Sequence, residues 1–234
     1  MSSIAQNLQA VRERIAGAAS AVSRNEQEIH LLAVSKTFGP EEVLEAAQAG
    51  QRAFGENYLQ EALDKMAALR TMHADPLLEW HFIGPIQSNK TRPIAENFDW
   101  VHSLEREKIA QRLSDQRPAG MPPLNVCIQV NISDENSKSG ATVDEAEALA
   151  HKVAAMPRLT LRGLMAIPEP VVDVERQRAS FRRLRELFER LRAQGLALDT
   201  LSMGMSADMT AAIAEGATIV RIGTAIFGQR DYAK

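Results

Sequence analysis

A chain of 234 residues with 45% hydrophobic content can bury one large core, and a single α/β barrel commonly runs to about 250 residues. Its 27 basic and 30 acidic residues leave a formal net charge of −3, which offers no polyanion-binding surface and removes nucleic acid from the expected partners. One cysteine excludes an intrachain disulfide, Met1–Ala10 lacks the features of a signal peptide, and no apolar run approaches a membrane span, so a soluble cytoplasmic protein without a membrane partner is expected.

Ile4, Leu8, Val11, Ile15 and Val22 mark an opening helix that Ser2 or Ser3 can cap. The apolar run from Leu31 follows and ends at Ser35-Lys36-Thr37. It reads as a buried first strand, and Gly39-Pro40 turns the chain into a helix that stops at Gly50. Arg52–Gly55 is a short second strand, followed by a helix from about Tyr58 to Arg70. Leu78–Gly84 is the third strand and Trp100–His102 the fourth, with a short helix around Thr91–Glu96 between them. A helix with Ile109 and Leu113, then the Pro118–Pro123 linker, leads into the fifth strand, Leu124–Val130. Past the polar loop Asn131–Gly140, a helix over Thr142–Ala155 precedes the sixth strand, Leu159–Met165. The long helix Val174–Gln194 carries Phe181, Leu184, Phe188 and Leu191 on one face and arginines opposite, as an exposed outer helix would. Thr200–Met203, a helix over Met209–Glu215 and Thr218–Ile222 complete the pattern. Strands alternating with helices, with no dividing linker, predict a single (β/α)8 TIM-type barrel over residues 1–234 with an extra N-terminal helix. Strands two, four and seven are short, so a doubly wound open sheet is the rival.

Function gathers at the carboxyl ends of parallel strands. Lys36 stands at such an end and shares the strand parity of Leu32 and Val34. An ammonium against an apolar wall is disfavoured, which lowers its pKa towards an amine able to attack a carbonyl and form a Schiff base. From the strand alone, a lysine snorkelling into solvent is the favoured reading. The loops after strands seven and eight are the usual phosphate site of a barrel, and Ser206, Gly223 and Thr224 lie there. An ordinary cap, with Ser206 capping the following helix, plus a glycine turn is the plainer reading. Arg221 interrupts the last apolar strand. As a donor-only group it needs an acceptor, either a carboxylate or a ligand. A lysine, a phosphate cradle and an arginine at one barrel mouth describe a pyridoxal 5'-phosphate (PLP) site. A sugar-phosphate aldolase using the same lysine and loops without a cofactor is a further possibility.

Ala33-Val34-Ser35-Lys36-Thr37, Phe54-Gly55-Glu56-Asn57-Tyr58 and WHFIGPIQSNK from Trp80 to Lys90 resemble the pyridoxal phosphate homeostasis protein family. So do Val130-Asn131-Ile132 through Lys138-Ser139-Gly140, Ser202–Ser206, Arg221–Thr224 and Ile226-Phe227-Gly228, and the resemblance covers about Ile29 to Gly228. It implies a fold like the barrel domain of alanine racemase and a role in intracellular PLP homeostasis or carriage, with PLP-dependent apoenzymes as potential recipients. It implies that Lys36 holds the cofactor as a Schiff base, that Ser206, Gly223 and Thr224 bind its phosphate, and that Arg221 faces the pyridine nitrogen. Asn57 and His81 lie on matching motifs near the cofactor. Lys138 is the alternative Schiff-base lysine.

An arginine cannot accept a proton from the ring nitrogen, so the pyridine stays largely unprotonated and carbanion chemistry is weakened. The racemases also use a tyrosine from an additional domain as second base. Tyr58 and Tyr232 are the only tyrosines of this sequence. The expectation is therefore a binding protein with little turnover, an amino-acid racemase being the alternative, and a monomer, because no dimerisation element follows the barrel. His81, inside a strand, is by default a satisfied core histidine. His30, His73, His102 and His151 show no metal-ligand spacing, and Cys127 reads as a small core hydrophobe.

Overall fold

Each predicted strand is a run of apolar residues too short for a helix, and each pairs in parallel with the next. The computed structural model describes residues 3–72, 77–133 and 139–229. Its strands are β1 His30–Val34, β2 Ala53–Glu56, β3 Glu79–Phe82, β4 Trp100–Leu104, β5 Leu124–Gln129, β6 Leu159–Met165, β7 Thr200–Ser202 and β8 Ile219–Ile222. They are joined in sequence order into a closed barrel. Closure comes from β1 against β8, where His30 pairs with Ile219 and Leu32 with Arg221. That pairing removes the open sheet as an alternative.

The helices are α1 Ser3–Ala21, α2 Pro40–Gln48, α3 Leu59–Thr71, α4 Thr91–Asn97, α5 Glu107–Gln116, α6 Val143–Ala154, α7 Val174–Ala193, α8 Met209–Ala214 and α9 Thr224–Phe227. Their apolar faces meet the outward residues of the strands in one annular core that includes Phe54, Phe82, Phe98, Leu113 and Phe181. The extra helix α1 packs against α2, α8 and α9. Among the described residues, no helix is long and apolar enough to cross a membrane.

Local chemistry explains most boundaries. Gly50 takes φ +88° just past α2, a conformation without penalty only for glycine. Thr142 and Glu145 form a reciprocal capping box at the start of α6. Other expectations need correction. Val22 lies beyond α1 and is 39% exposed, because the chain leaves the helix at Ala21. β2 starts and ends one residue later than expected, so Glu56 belongs to it. β1 stops at Val34, which puts Lys36 in the loop. The short helix α9 was not expected at all. The α7 arginines do more than face water: Arg178, Arg182 and Arg185 converge on the buried carboxylate of Glu215.

The inside of the barrel is unusual. Inward columns of such barrels are dominated by Val, Ile and Leu. Here register places His81 beside Trp100 and Met165 beside Ser202. Trp100, Cys127 and Met165 form a small apolar cluster separate from the annular core. Burial pushes the Cys127 thiol up, so it is an inert core group. Leu32 and Val34 are also inward, but His81, His102, Ser202 and Arg221 are buried polar groups that must find partners.

Candidate functional site

Ser35 follows β1 and faces outward, where its hydroxyl donates to Glu56 Oε1 at 2.6 Å. Lys36 follows in the turn beyond β1 and is half-buried. The residues on either side of it are pinned. Lys65 Nζ donates to the Ser35 carbonyl at 2.9 Å and to Glu56 Oε1, and the Thr37 amide donates to Glu61 Oε1 at 2.6 Å. Thr37 has φ +69°, a left-handed conformation that a β-branched residue adopts at a cost of about 1–3 kcal/mol. Burial pushes the Glu56 carboxyl up, against the opposing pull of Lys65 and Ser35.

The other expected residues reach this mouth from neighbouring strands. Asn57 follows β2, Ser206 follows β7, and Gly223 and Thr224 follow β8, so with Lys36 they occupy four consecutive staves of the ring. Phe38 stacks on Phe227 with ring centroids 5.1 Å apart, tying the Lys36 loop to the turn after β8. In that turn the hydrogen bonds run from the Ile226 and Phe227 amides to the Gly223 carbonyl, leaving the Gly223 and Thr224 amides outside it. Ser206 does not cap α8. That helix begins at Met209 with Asp208 in the cap position, and Ser206 instead lies in the turn closed by the Met205 amide on Asp208 Oδ1 at 2.6 Å. Gly204 makes the turn possible with φ +95°, since a Cβ there would meet Ala212 Cβ at 2.6 Å. Lys138 lies outside the described residues.

Arg221 sits deeper, opposite Leu32, and is 4% exposed. Nη1 donates to Ser202 Oγ at 2.8 Å and Nη2 to the Ala166 carbonyl at 2.9 Å. These neutral groups are its acceptors. Among the described residues no carboxylate pairs with it, and burial lowers its pKa to about 10 while Asp208 resists at a distance. A guanidinium has five N–H donors, so part of this buried cation's capacity remains for a ligand. Two buried oxygens at the mouth, Thr37 Oγ1 and Asn57 Oδ1, also lack a hydrogen-bond partner among the described residues. Buried polar atoms of that kind call for an explanation, and a polar ligand supplies one. The set therefore fits a group with an anionic tail, hydrogen-bonding ring atoms and an aldehyde.

His81 is not at this mouth. It lies in the barrel interior, stacked on Trp100 at 5.3 Å, and reaches Arg221 only through His102 and Ser202. Trp80 and Phe82 flank it as outward packing residues.

Comparison with known proteins follows the same lines. The family described as alanine racemase, N-terminal domain, matches residues 3–231. A pyridoxal phosphate homeostasis protein of Pseudomonas aeruginosa is 62% identical over 232 residues, covering 99% of this chain and 98% of that one. The chain belongs to the pyridoxal phosphate homeostasis protein family. PipY of Synechococcus elongatus PCC7942, solved with PLP bound, superposes with a TM-score of 0.83 at 36% identity, over 96% of this chain and 100% of PipY. Alanine racemase of Corynebacterium glutamicum shares the fold with a TM-score of 0.68 at 22% identity, over 99% of this chain and 62% of the racemase.

For this chain, sequence reasoning missed two features. One is the buried pair of Glu56 and Lys65. A signal was present, because Lys65 lies on the α3 stripe with Ala62, Met66 and Leu69, where a lysine needs a buried partner. The other is the participation of His102 and Ser202. Both share strand parity with inward residues, but only the register across strands brings them together.

Proposed function

We propose that this chain binds PLP as a Schiff base on Lys36 and acts in PLP homeostasis or carriage, with little or no catalytic turnover. Membership of the family, and the PLP-bound structure of PipY at 36% identity, support the cofactor and the homeostatic role. The observation that carries the site is the buried Arg221 guanidinium, without a carboxylate partner among the described residues, beneath the mouth that bears Lys36. Ser206, Gly223 and Thr224 would hold the phosphate, Arg221 would face the pyridine nitrogen, and Asn57 would offer its unpartnered oxygen to the ring.

The bound cofactor would supply an electron-withdrawing ring. Arg221 only donates hydrogen bonds, so it leaves a pyridine nitrogen without a proton and weakens that withdrawal. Lys65 does not compete as the attachment point, because its ammonium is buried against Glu56. PLP-dependent apoenzymes are the recipients that a carriage role implies.

Borohydride reduction followed by peptide mapping tests the reading. Cofactor should be fixed on Lys36, and Lys36→Ala should abolish fixation while circular dichroism shows an intact fold. Equal fixation on the alanine variant would refute Lys36 and direct attention to Lys138. Exchange of the α-proton of amino acids in heavy water, at ordinary enzymatic rates, would replace the carrier by an enzyme.

A further inference from the structure

Below Arg221 a hydrogen-bonded chain crosses the barrel to its opposite mouth. Arg221 Nη1 meets Ser202 Oγ at 2.8 Å, Ser202 Oγ meets His102 Nδ1 at 2.7 Å, His102 Nε2 meets His81 Nδ1 at 2.8 Å, and His81 Nε2 meets Glu79 Oε1 at 2.7 Å. Ser202, His102 and His81 are all buried, whereas the Glu79 side chain is half exposed. Glu79 opens into a cavity of about 1100 Å³ at the amino-terminal ends of the strands, lined also by His30, Asn125, Arg162 and Thr200.

The direction of this chain is settled from the carboxylate end. A guanidinium has no acceptor, so Ser202 Oγ accepts from Arg221 and keeps its own hydrogen available for His102 Nδ1. An ionised carboxylate has no donor, so His81 must carry its hydrogen on Nε2. Burial holds both imidazoles below the ordinary value, and each therefore has one N–H and one bare nitrogen. With Nδ1 of His81 bare, His102 must donate from Nε2, which leaves His102 Nδ1 bare to receive the Ser202 hydroxyl. Every donor points towards Glu79, and no link is mismatched.

We infer that Glu79, His81, His102 and Ser202 form a one-way relay that holds the Arg221 guanidinium in one orientation beneath the cofactor mouth, with Glu79 as its anchor on the far face of the barrel. The inference rests on the PLP reading of the site. His102 and Ser202 are positioning residues: they act on the cofactor ring only through Arg221. The fixed hydroxyl lone pair of Ser202 and the Ala166 carbonyl take two N–H groups and aim the remaining donors upward. Glu79 is itself faced by His30 of β1, Trp100 of β4, Arg162 of β6 and Asp99 before β4, which with His81 make up its charged and polar surroundings.

The test uses the full-length, PLP-loaded protein. Long-range ¹⁵N–¹H correlation spectra should show His81 and His102 as neutral Nε2–H tautomers. Glu79→Gln, whose amide can donate or accept, should mix the His102 tautomers. It should also move the midpoint of the bound cofactor's pH-dependent absorption band by about one unit, the size expected for one disturbed charge-assisted hydrogen bond. Ser202→Ala should move the band likewise and Ser202→Thr should restore it. An Nδ1–H tautomer of His102 in the parent protein would overturn the relay. So would an unchanged band and unchanged tautomers in Glu79→Gln, a surface substitution that does not endanger folding. Borohydride fixation of PLP on Lys36 separates the two ideas: its absence in the parent protein sinks the PLP reading, whereas its presence with an unmoved band sinks only the relay.

Discussion

Lys65 on α3 grips the end of β1 and the end of β2 at once, donating to the Ser35 carbonyl at 2.9 Å and to the Glu56 carboxylate. The pair is 2% and 0% exposed at its side chains, and it holds the residue immediately before Lys36. A charge pair this deep is costly to break from one side, because the survivor keeps its desolvation penalty.

Lys65→Met should therefore destabilise the fold by about 3–5 kcal/mol. Adding Glu56→Gln should recover most of the loss, since an amide tolerates burial better than an unpaired carboxylate. Urea denaturation of the two variants measures both effects. A single variant as stable as the parent would show that the pair carries no weight.

Thr37 holds a left-handed backbone directly after the candidate lysine. Thr37→Gly should leave stability within about 1 kcal/mol, because relief of strain offsets the greater entropy of an unfolded glycine. It should nevertheless weaken PLP retention in dialysis, since Lys36 loses a stiff neighbour and the site loses the Thr37 hydroxyl. Retention equal to that of the parent would mean that backbone stiffness there is irrelevant.

Gly84 allows the loop after β3 to press on Asn57. A Cβ at Gly84 would lie 2.2 Å from the Asn57 carbonyl oxygen, a backbone atom that cannot simply turn away. Gly84→Ala should cost about 1–3 kcal/mol, as overpacked sites do. It should also shift Asn57, visible as a lowered thermal midpoint together with weaker PLP binding.

His81 and His102 are held neutral by burial, which lowers both below the ordinary imidazole value. The unfolded chain takes up protons at these residues near pH 6.5, whereas the folded chain resists until lower pH. Their contribution to stability is thus complete above about pH 6.5 and declines as the pH falls below it. Imidazole NMR titration should show both rings protonating at lower pH than an exposed imidazole, His102 the more so. A His102 that titrates at the ordinary imidazole value would contradict the arrangement.

Much was legible from the chain alone. Short runs, several of them bounded by glycine or proline, marked all eight strands, and helical periodicity marked most helices, because both depend on residues close in sequence. The position of Lys36 at the end of β1, and of Ser206, Gly223 and Thr224 after β7 and β8, followed from the same punctuation. Boundaries were less secure. The helix cap at Ser206 failed because the Asp208 carboxylate closes the preceding turn, and α8 starts later.

Which polar groups meet was beyond local pattern. His102 binds Ser202 across 100 positions, and Lys65 turns back from α3 to meet Glu56 at the end of β2. Such pairings depend on strand register, where a slip of one residue would turn every side chain to the other face. The sequence by itself thus determined the order of strands and helices and the rim on which the candidate site lies. Only closure of β1 on β8 decided that Arg221 would be buried without a carboxylate and joined through two imidazoles to the far mouth, because hydrogen-bond partners are chosen by proximity in space rather than along the chain.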